Sequence, residues 1–205
     1  VIAQIEAADP EVILNTINGD SNVAFFAALQ QAGIDAPVLS FSIAESDLVS
    51  IPIDDVVGNY AAWTYFQSLD TPENRAFVAR FQARYGADRV VSSPMEAAYF
   101  GVKIWAQAVS DAGIFSPATI RTAILNHSYA APQGVVYIDT SRHTWKTVRV
   151  GQIRPDGQFD IIWDSGDPIR PIPFPDSRTR EQWNAFIRIL YNRWGGWANP
   201  GGGSE

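Results

Sequence analysis

Two short polar loops carry the side chains best suited to recognising a ligand. The first runs Asn15-Thr16-Ile17-Asn18-Gly19-Asp20 into Ser21 and the second from Ser42 to Asp47; each sets an acid, Asp20 and Glu45, among small residues. Each acid has two readings. Either Asp20 or Ser21 caps the following helix and Glu45 is solvated, or both acids face a bound molecule. A third acid, Glu96, closes Ser93-Pro94-Met95-Glu96, which has the form of a capping box and also suits a place beside a cleft. Bond-breaking chemistry finds less support. The sequence has no H-E-x-x-H, P-loop, G-x-G-x-x-G, G-x-S-x-G or EF-hand pattern. His127 and His143 stand alone and read as surface or loop residues, and Asp54-Asp55 reads as a solvated turn. Cysteine is absent, which excludes disulfides, thiolate metal sites and thiol nucleophiles. No catalytic residue, metal or cofactor is therefore expected.

The elements around these loops alternate. Val1 to Ala8 reads as a helix end broken by Asp9-Pro10. The purely apolar Val12-Ile13-Leu14 reads as a buried parallel strand, followed by a helix from Ser21 to Gly33 and a second strand over Pro37 to Phe41. A third extended segment covers Val56 to Phe66. Strand, helix, strand at this spacing is a βαβ unit of an open α/β sheet, and ligands of such sheets bind outside the carboxyl ends of the strands, where both polar loops fall. Tyr60, Trp63 and Tyr65 crowd the third segment, as core or as an aromatic wall for a planar ligand. Helix starts follow at Thr71-Pro72-Glu73, Ser93-Pro94 and Ser116-Pro117. The stretch Ala97 to Ala112 is apolar almost all round, which predicts burial. Val135 to Ile138 reads as a strand. Thr147 to Ile153 and Gln158 to Trp163 flank the turn Arg154-Pro155-Asp156-Gly157 as a hairpin. After a proline-rich connector, Trp183, Phe186, Ile187, Leu190, Tyr191 and Trp194 make one face of a last helix that reads as a docking face. The glycine-rich stretch from Gly195 reads as loose.

Composition narrows the class. Of 205 residues, 46% are apolar and 18% charged, the balance of a folded globule. Twenty-two acids against fifteen Lys and Arg give a net charge of −7 with no basic cluster, so no nucleic-acid partner is expected. No apolar run reaches the 18 residues of a membrane span. The chain opens at Val1 without a signal-like stretch and reads as a fragment.

Six stretches, in order, carry a family resemblance: LNTINGDSNVAFF (Leu14 to Phe26), SLDTPENRAFV (Ser68 to Val78), MEAAY (Met95 to Tyr99), APQG (Ala131 to Gly134), GQFDIIW (Gly157 to Trp163) and PIRP (Pro168 to Pro171). With them the chain resembles the C-terminal half of the type I periplasmic solute-binding proteins for urea and short-chain amides. Asn18 to Asn22 and Trp194-Gly195-Gly196-Trp197-Ala198-Asn199-Pro200 look more like the urea branch than the amide-sensing regulators. The resemblance implies an α/β fold of open, mostly parallel sheet lobes with helices on both faces, joined by three crossovers and closing like a hinged clam, here without its N-terminal half. It further implies a division into 1–66 (second lobe), 67–146 (returning first-lobe part), 147–172 (second-lobe hairpin) and 173–205 (connector and terminal helix). The face left open by the absent half would then favour self-association.

The same resemblance implies an extracytoplasmic, periplasmic receptor of an ABC transporter that delivers a small neutral amide-like ligand, urea first, to a membrane permease. Urea has four N–H donors and one acceptor. Asn18, Asp20, Ser42, Glu45, Tyr65 and Glu96 are the expected ligand-binding residues: Asp20, Glu45 and Glu96 as acceptors, Ser42 or Tyr65 as donor to the oxygen. A ceiling of about 1.5 kcal/mol per heavy atom gives four-atom urea roughly 6 kcal/mol, a Kd on the order of tens of micromolar. The alternatives are a ligand-sensing module of a regulator, a branched-chain amino-acid receptor, and an α/β enzyme whose catalytic residues lie in the absent half.

Overall fold

The computed structural model describes residues 1–198. Its first sheet begins with the expected βαβ unit. After helix α1 (Ile2–Ala8) come β1 (Ile13–Asn15), α2 (Ser21–Gln31) and β2 (Val38–Ser40), with β1 and β2 parallel and in register Ile13 to Val38. Phe26 and Leu29 of α2 face the sheet, and the chain leaves the helix through Gly33 at φ 65°, a conformation open to glycine at no steric cost. The segment read as an open loop over 42–47 is in fact part helical. A single turn, α3 (Glu45–Leu48), forms there because the Asp47 carboxylate reaches back to accept the Ala44 N–H at 2.9 Å. A second turn, α4 (Ile53–Val56), precedes β3 (Tyr60–Trp63), which pairs parallel to β2. Asp54 and Asp55 occupy the first turn of α4, where acids complement the helix dipole.

The chain then leaves this sheet. Thr71 caps α5 (Pro72–Tyr85), its hydroxyl accepting the Asn74 N–H at 3.1 Å, with Pro72 preset in the first turn. Helices α6 (Ser93–Ala112) and α7 (Pro117–Ala123) follow. A small antiparallel sheet comes next: β4 (Ser128–Ala131), β5 (Gly134–Ile138) and β6 (Thr144–Trp145). The expectation that α6 is buried all round is corrected. Only Glu96, Phe100, Ile104 and Ala108, one stripe at four-residue spacing, are enclosed with Ser93, and Phe100 and Ile104 pack against Ala131 and Val136. On its other side Val102 is 64% and Trp105 40% exposed.

The chain returns to the first sheet as β7 (Arg149–Ile153) and β8 (Phe159–Asp164), the expected hairpin, closed by a turn in which Gly157 takes φ 74°. Strand order is β1-β2-β3-β7-β8, with β3 antiparallel to β7 and β7 to β8, so the five-stranded sheet is mixed: the chain comes back from α5–α7 and the small sheet running against β3. Its core gathers Phe26, Val38, Ile43, Val56, Ala61, Phe66, Ile153 and Phe159. Phe66 lies on Phe159 with ring centroids 4.6 Å apart. Opposite Ala61, Gly151 makes this possible: a Cβ there would fall 2.9 Å from both Phe159 Cβ and Phe66 Cζ. A further return to the small sheet follows, where Ile169 bridges Lys146 and Arg170 lies 3.4 Å from Asp139.

Residues from Pro171 onward form a separate compact unit. Within it Thr179 and Gln182 form a capping box that opens α8 (Arg180–Arg193), and Trp183 Nε1 donates to the Pro175 carbonyl at 2.9 Å. The Arg178 guanidinium stacks over Trp183 and Phe186 at 4.7 and 4.5 Å. Asn199 to Glu205, most of the stretch read as loose and the last two residues of the terminal motif, lie outside the described residues. Among the described residues, no helix is long and apolar enough to cross a membrane.

Candidate functional site

Strands β1, β2 and β3 run parallel, so the loops after Asn15, Ser40 and Trp63 share one edge of the sheet. The loop after β1 is wound tightly on itself. Buried Asn15 donates to Asn22 Oδ1 (2.9 Å) and Ser40 Oγ (3.1 Å) and accepts the Ile17 N–H (2.9 Å). Asn22 in turn donates to the carbonyls of Ile17 (2.9 Å) and Gly19 (3.1 Å). Asn18 and Asp20 ride exposed on this frame. Asp20 precedes α2 without making a side-chain cap bond, so capping does not account for it. The Ser42 hydroxyl is half-buried and donates to the Ile17 carbonyl, tying the two polar loops together; its proton is not free for a ligand oxygen as expected.

Glu45 behaves unlike a solvated acid. At the first position of α3 it is only 1% exposed, and its Oε1 accepts the Gln67 N–H at 2.6 Å while Oε2 is buried with no partner. Burial raises its pKa to about 7 against the help of the backbone N–H groups, with Asp47 nearby adding repulsion. Tyr65 is fully enclosed. Its hydroxyl donates to Asn74 Oδ1 at 2.8 Å and its ring meets Phe77 edge-on at 6.5 Å. It is therefore neither a free donor nor a face for a planar ligand. Burial and then the carboxyls of Glu45 and Glu96 push its pKa up. Asn74 is the anchor here, since its Nδ2 also binds the carbonyls of Gln67 (2.9 Å) and Leu69 (2.8 Å).

Glu96 is wholly buried, and the capping-box reading is overturned. Ser92, not Ser93, is the cap residue and makes no side-chain cap bond, while the Glu96 carboxylate accepts from Gln133, Nε2 at 2.8 Å and N at 3.4 Å. Burial raises Glu96 to about 7, opposed by Gln133 and by the charges of Lys146 and Arg149. Lys146 sits with Nζ 4.9 Å above the Phe100 ring, its pKa lowered by burial. Arg149 is the buried cation of the junction. It donates to the carbonyls of Thr64 (2.6 Å) and Gln133 (3.0 Å), and its Nε lies 2.8 Å from Asp164. Thr64 Oγ1 and Ser93 Oγ, from the two sides, lie 3.3 Å apart.

The structure thus gathers Glu45, Tyr65 and Glu96 around the 64–67 passage from the five-stranded sheet to α5. Asn18, Asp20 and Ser42 stand at the strand edge, and among the described residues no side-chain hydrogen bond joins them to that junction. Gln67, Asn74, Gln133 and Arg149 escaped the sequence reading. Only Asn74 and Gln133 lie within stretches that carried the resemblance, and nothing in the local sequence marks Arg149. His127 pairs with Asp111 at 2.8 Å and His143 lies 3.0 Å from the Ser141 carbonyl. Among the described residues no group of three His, Cys, Asp or Glu is placed to hold a metal.

The family model described as "Periplasmic binding protein domain" matches residues 1–180. The chain resembles an amino acid ABC transporter substrate-binding protein of Pseudomonas fluorescens Pf-5 (25% identity, TM-score 0.70, 85% of this chain and 48% of that one). It also resembles an ABC-transporter solute-binding protein of R. palustris solved with 4-hydroxybenzoate (25%, TM-score 0.71, 82% and 48%). A protein named limonene hydroxylase from Geobacillus stearothermophilus is 38% identical over 143 residues, 65% of this chain and 26% of that one. The chain spans about half the length of these solved relatives and about a quarter of the curated one. With the α/β fold and a match across most of its length, the chain belongs to the periplasmic binding protein family.

Proposed function

We propose that this chain is the C-terminal half of a periplasmic receptor for urea or a short-chain amide, which hands its ligand to the permease of an ABC transporter. The observation that carries the reading is the Glu45 oxygen held in the junction without a donor. Once Glu45 is ionised, above about pH 7, this buried acceptor left unmatched costs about 1–3 kcal/mol, and a guest rich in N–H groups would remove that penalty. Glu96 keeps the α6 side anionic when it is ionised, and Asp20 and Asn18 stand exposed where they can meet a ligand at the rim. An aromatic acid, the ligand of one solved relative, would instead bring a carboxylate toward Glu45 and Glu96. Closure follows if the guest contacts both lobes only in the closed state.

An amino-acid receptor is the second reading. It is favoured by the Pseudomonas fluorescens relative and by the fit of an ammonium group to the same acceptors. Thermal-shift and calorimetric titration of the full-length protein with urea, acetamide, leucine and 4-hydroxybenzoate separates them. Urea or acetamide should bind with a Kd on the order of tens of micromolar, raising stability by about 2.7 kcal/mol at a hundredfold excess over Kd. Glu45→Ala should weaken that binding at least tenfold. Binding of 4-hydroxybenzoate alone would overturn the reading, as would release of ammonia or another product in place of unchanged ligand.

A further inference from the structure

Gln133 is a buried polar side chain of the junction and was not among the expected site residues. It is 2% exposed, and three of its four polar groups are fixed. Its N and Nε2 both donate to the Glu96 carboxylate, and its carbonyl accepts from Arg149. The fourth group, the side-chain oxygen Oε1, is buried and has no donor. Oε1 keeps this orientation while the ionised Glu96 carboxylate holds Nε2 at 2.8 Å. It is an acceptor prepared in advance, and such pre-organisation spares the ordering penalty when a donor arrives.

We infer that Gln133 is a ligand-binding residue that receives an N–H from the guest, and that Glu96 is a positioning residue acting through it. The inference rests on the amide-receptor reading and deepens it. Glu96 has both oxygens engaged by Gln133, so it orients the amide and does not itself meet the ligand. With Glu45 ionised, Gln133 and Glu45 present two donor-free oxygens against one passage of chain, Glu45 through Gln67 N and Gln133 through the Arg149 bond to Thr64. Two separated acceptors select a ligand with at least two N–H groups, such as urea or a primary amide. They select against a tertiary amide of similar size.

Proton state gives this arrangement a second signature. When the Glu96 carboxyl is protonated it becomes a donor, and Gln133 Oε1 is the acceptor that can turn to meet it, presenting its NH2 group to the guest instead. The charged and titratable groups facing this pair are Lys146 and Arg149, the latter with Asp164, together with Tyr65 and Glu45 beyond it. Lys146 and Arg149 favour the ionised carboxylate.

The test uses calorimetric titration of the full-length protein with urea, acetamide and N,N-dimethylacetamide. Wild type should bind the first two, reject the third, and lose affinity for urea as pH falls through about 7. Gln133→Met should weaken urea binding at least tenfold, and Glu96→Gln should do so as well while making the pH dependence shallower. If either variant fails to fold, the 13Cδ resonance of Gln133 in the wild type supplies the answer, since it should move on saturation with urea. Undiminished urea binding by folded Gln133→Met, or a 13Cδ resonance unmoved at saturation, overturns this inference alone and assigns the empty oxygen to a buried water. A wild type that binds neither urea nor acetamide overturns the underlying reading and the inference with it.

Discussion

Replacing Arg149 with methionine removes one side chain and opens four vacancies. The guanidinium satisfies the carbonyls of Thr64 and Gln133, faces Asp164 at 2.8 Å and lies close enough to Glu96 to hold its proton affinity down. Hydrogen bonds to a charged group are worth about 1.5–3 kcal/mol each, and removing one partner from a buried pair costs about 3–5 kcal/mol. These contributions overlap. Asp164 is also partly exposed and regains water, so the expected loss is about 3–5 kcal/mol in total. Lysine restores the charge but not the fork, and should recover less than half of the loss. Guanidinium chloride denaturation followed by tryptophan fluorescence is the assay; urea is unsuitable, being the proposed ligand. A loss below about 1 kcal/mol would mean that the junction is solvated and that the buried-network argument is wrong.

Three further outcomes are expected. Glu45 and Glu96 hold their protons in the folded state up to about pH 7 against 4.5 for an ordinary glutamate, so the unfolded chain releases them first as pH rises. Stability should therefore fall between about pH 4.5 and 7, by up to about 1.4 kcal/mol per pH unit for each group, and Glu→Gln at either position should flatten that slope in denaturation curves across this range. Gly151→Ala should destabilise by about 1–3 kcal/mol, measured by the same melts, because its Cβ displaces Phe66 from Phe159. Thr71→Ala deletes both the cap on Asn74 and the 3.2 Å bond to the Pro132 carbonyl, and should lower stability by about 1–2 kcal/mol; an unchanged melting temperature would show the helix start does not depend on it.

Local signals made much of the fold legible. Helix α5 and its cap were written in Thr71-Pro72-Glu73, and the hairpin in the turn before Gln158, because both depend on residues within a few positions of one another. Strands β4 and β6 were not: β4 is Ser128-Tyr129-Ala130-Ala131, with no run of branched apolar residues to mark it, and β6 is a two-residue pairing. Helix α6 misled because composition records how many apolar residues a helix holds and not which stripe finds a neighbour. The site divides the same way. Glu96 four positions along a serine-proline start has the outward form of a cap, and its true partner, Gln133, is 37 residues away. Ser42 and Tyr65 have the right chemistry for a ligand, but Ile17 and Asn74 already hold their protons. Arg149 answers a carbonyl 85 residues earlier, a relation that no window of sequence contains.

That long reach bears on how the protein is made. The Tyr60–Trp63 strand has its inner neighbour almost at once, but its other side waits for Arg149 to Ile153. At about 5–20 residues per second, the ribosome needs on the order of 4–17 s to deliver them. Through that interval a bare row of amides and carbonyls stands ready to pair with any extended stranger, and bringing the two ends together carries a closure entropy of about 4 kcal/mol. Birth, not the finished fold, is when this molecule is most exposed to aggregation.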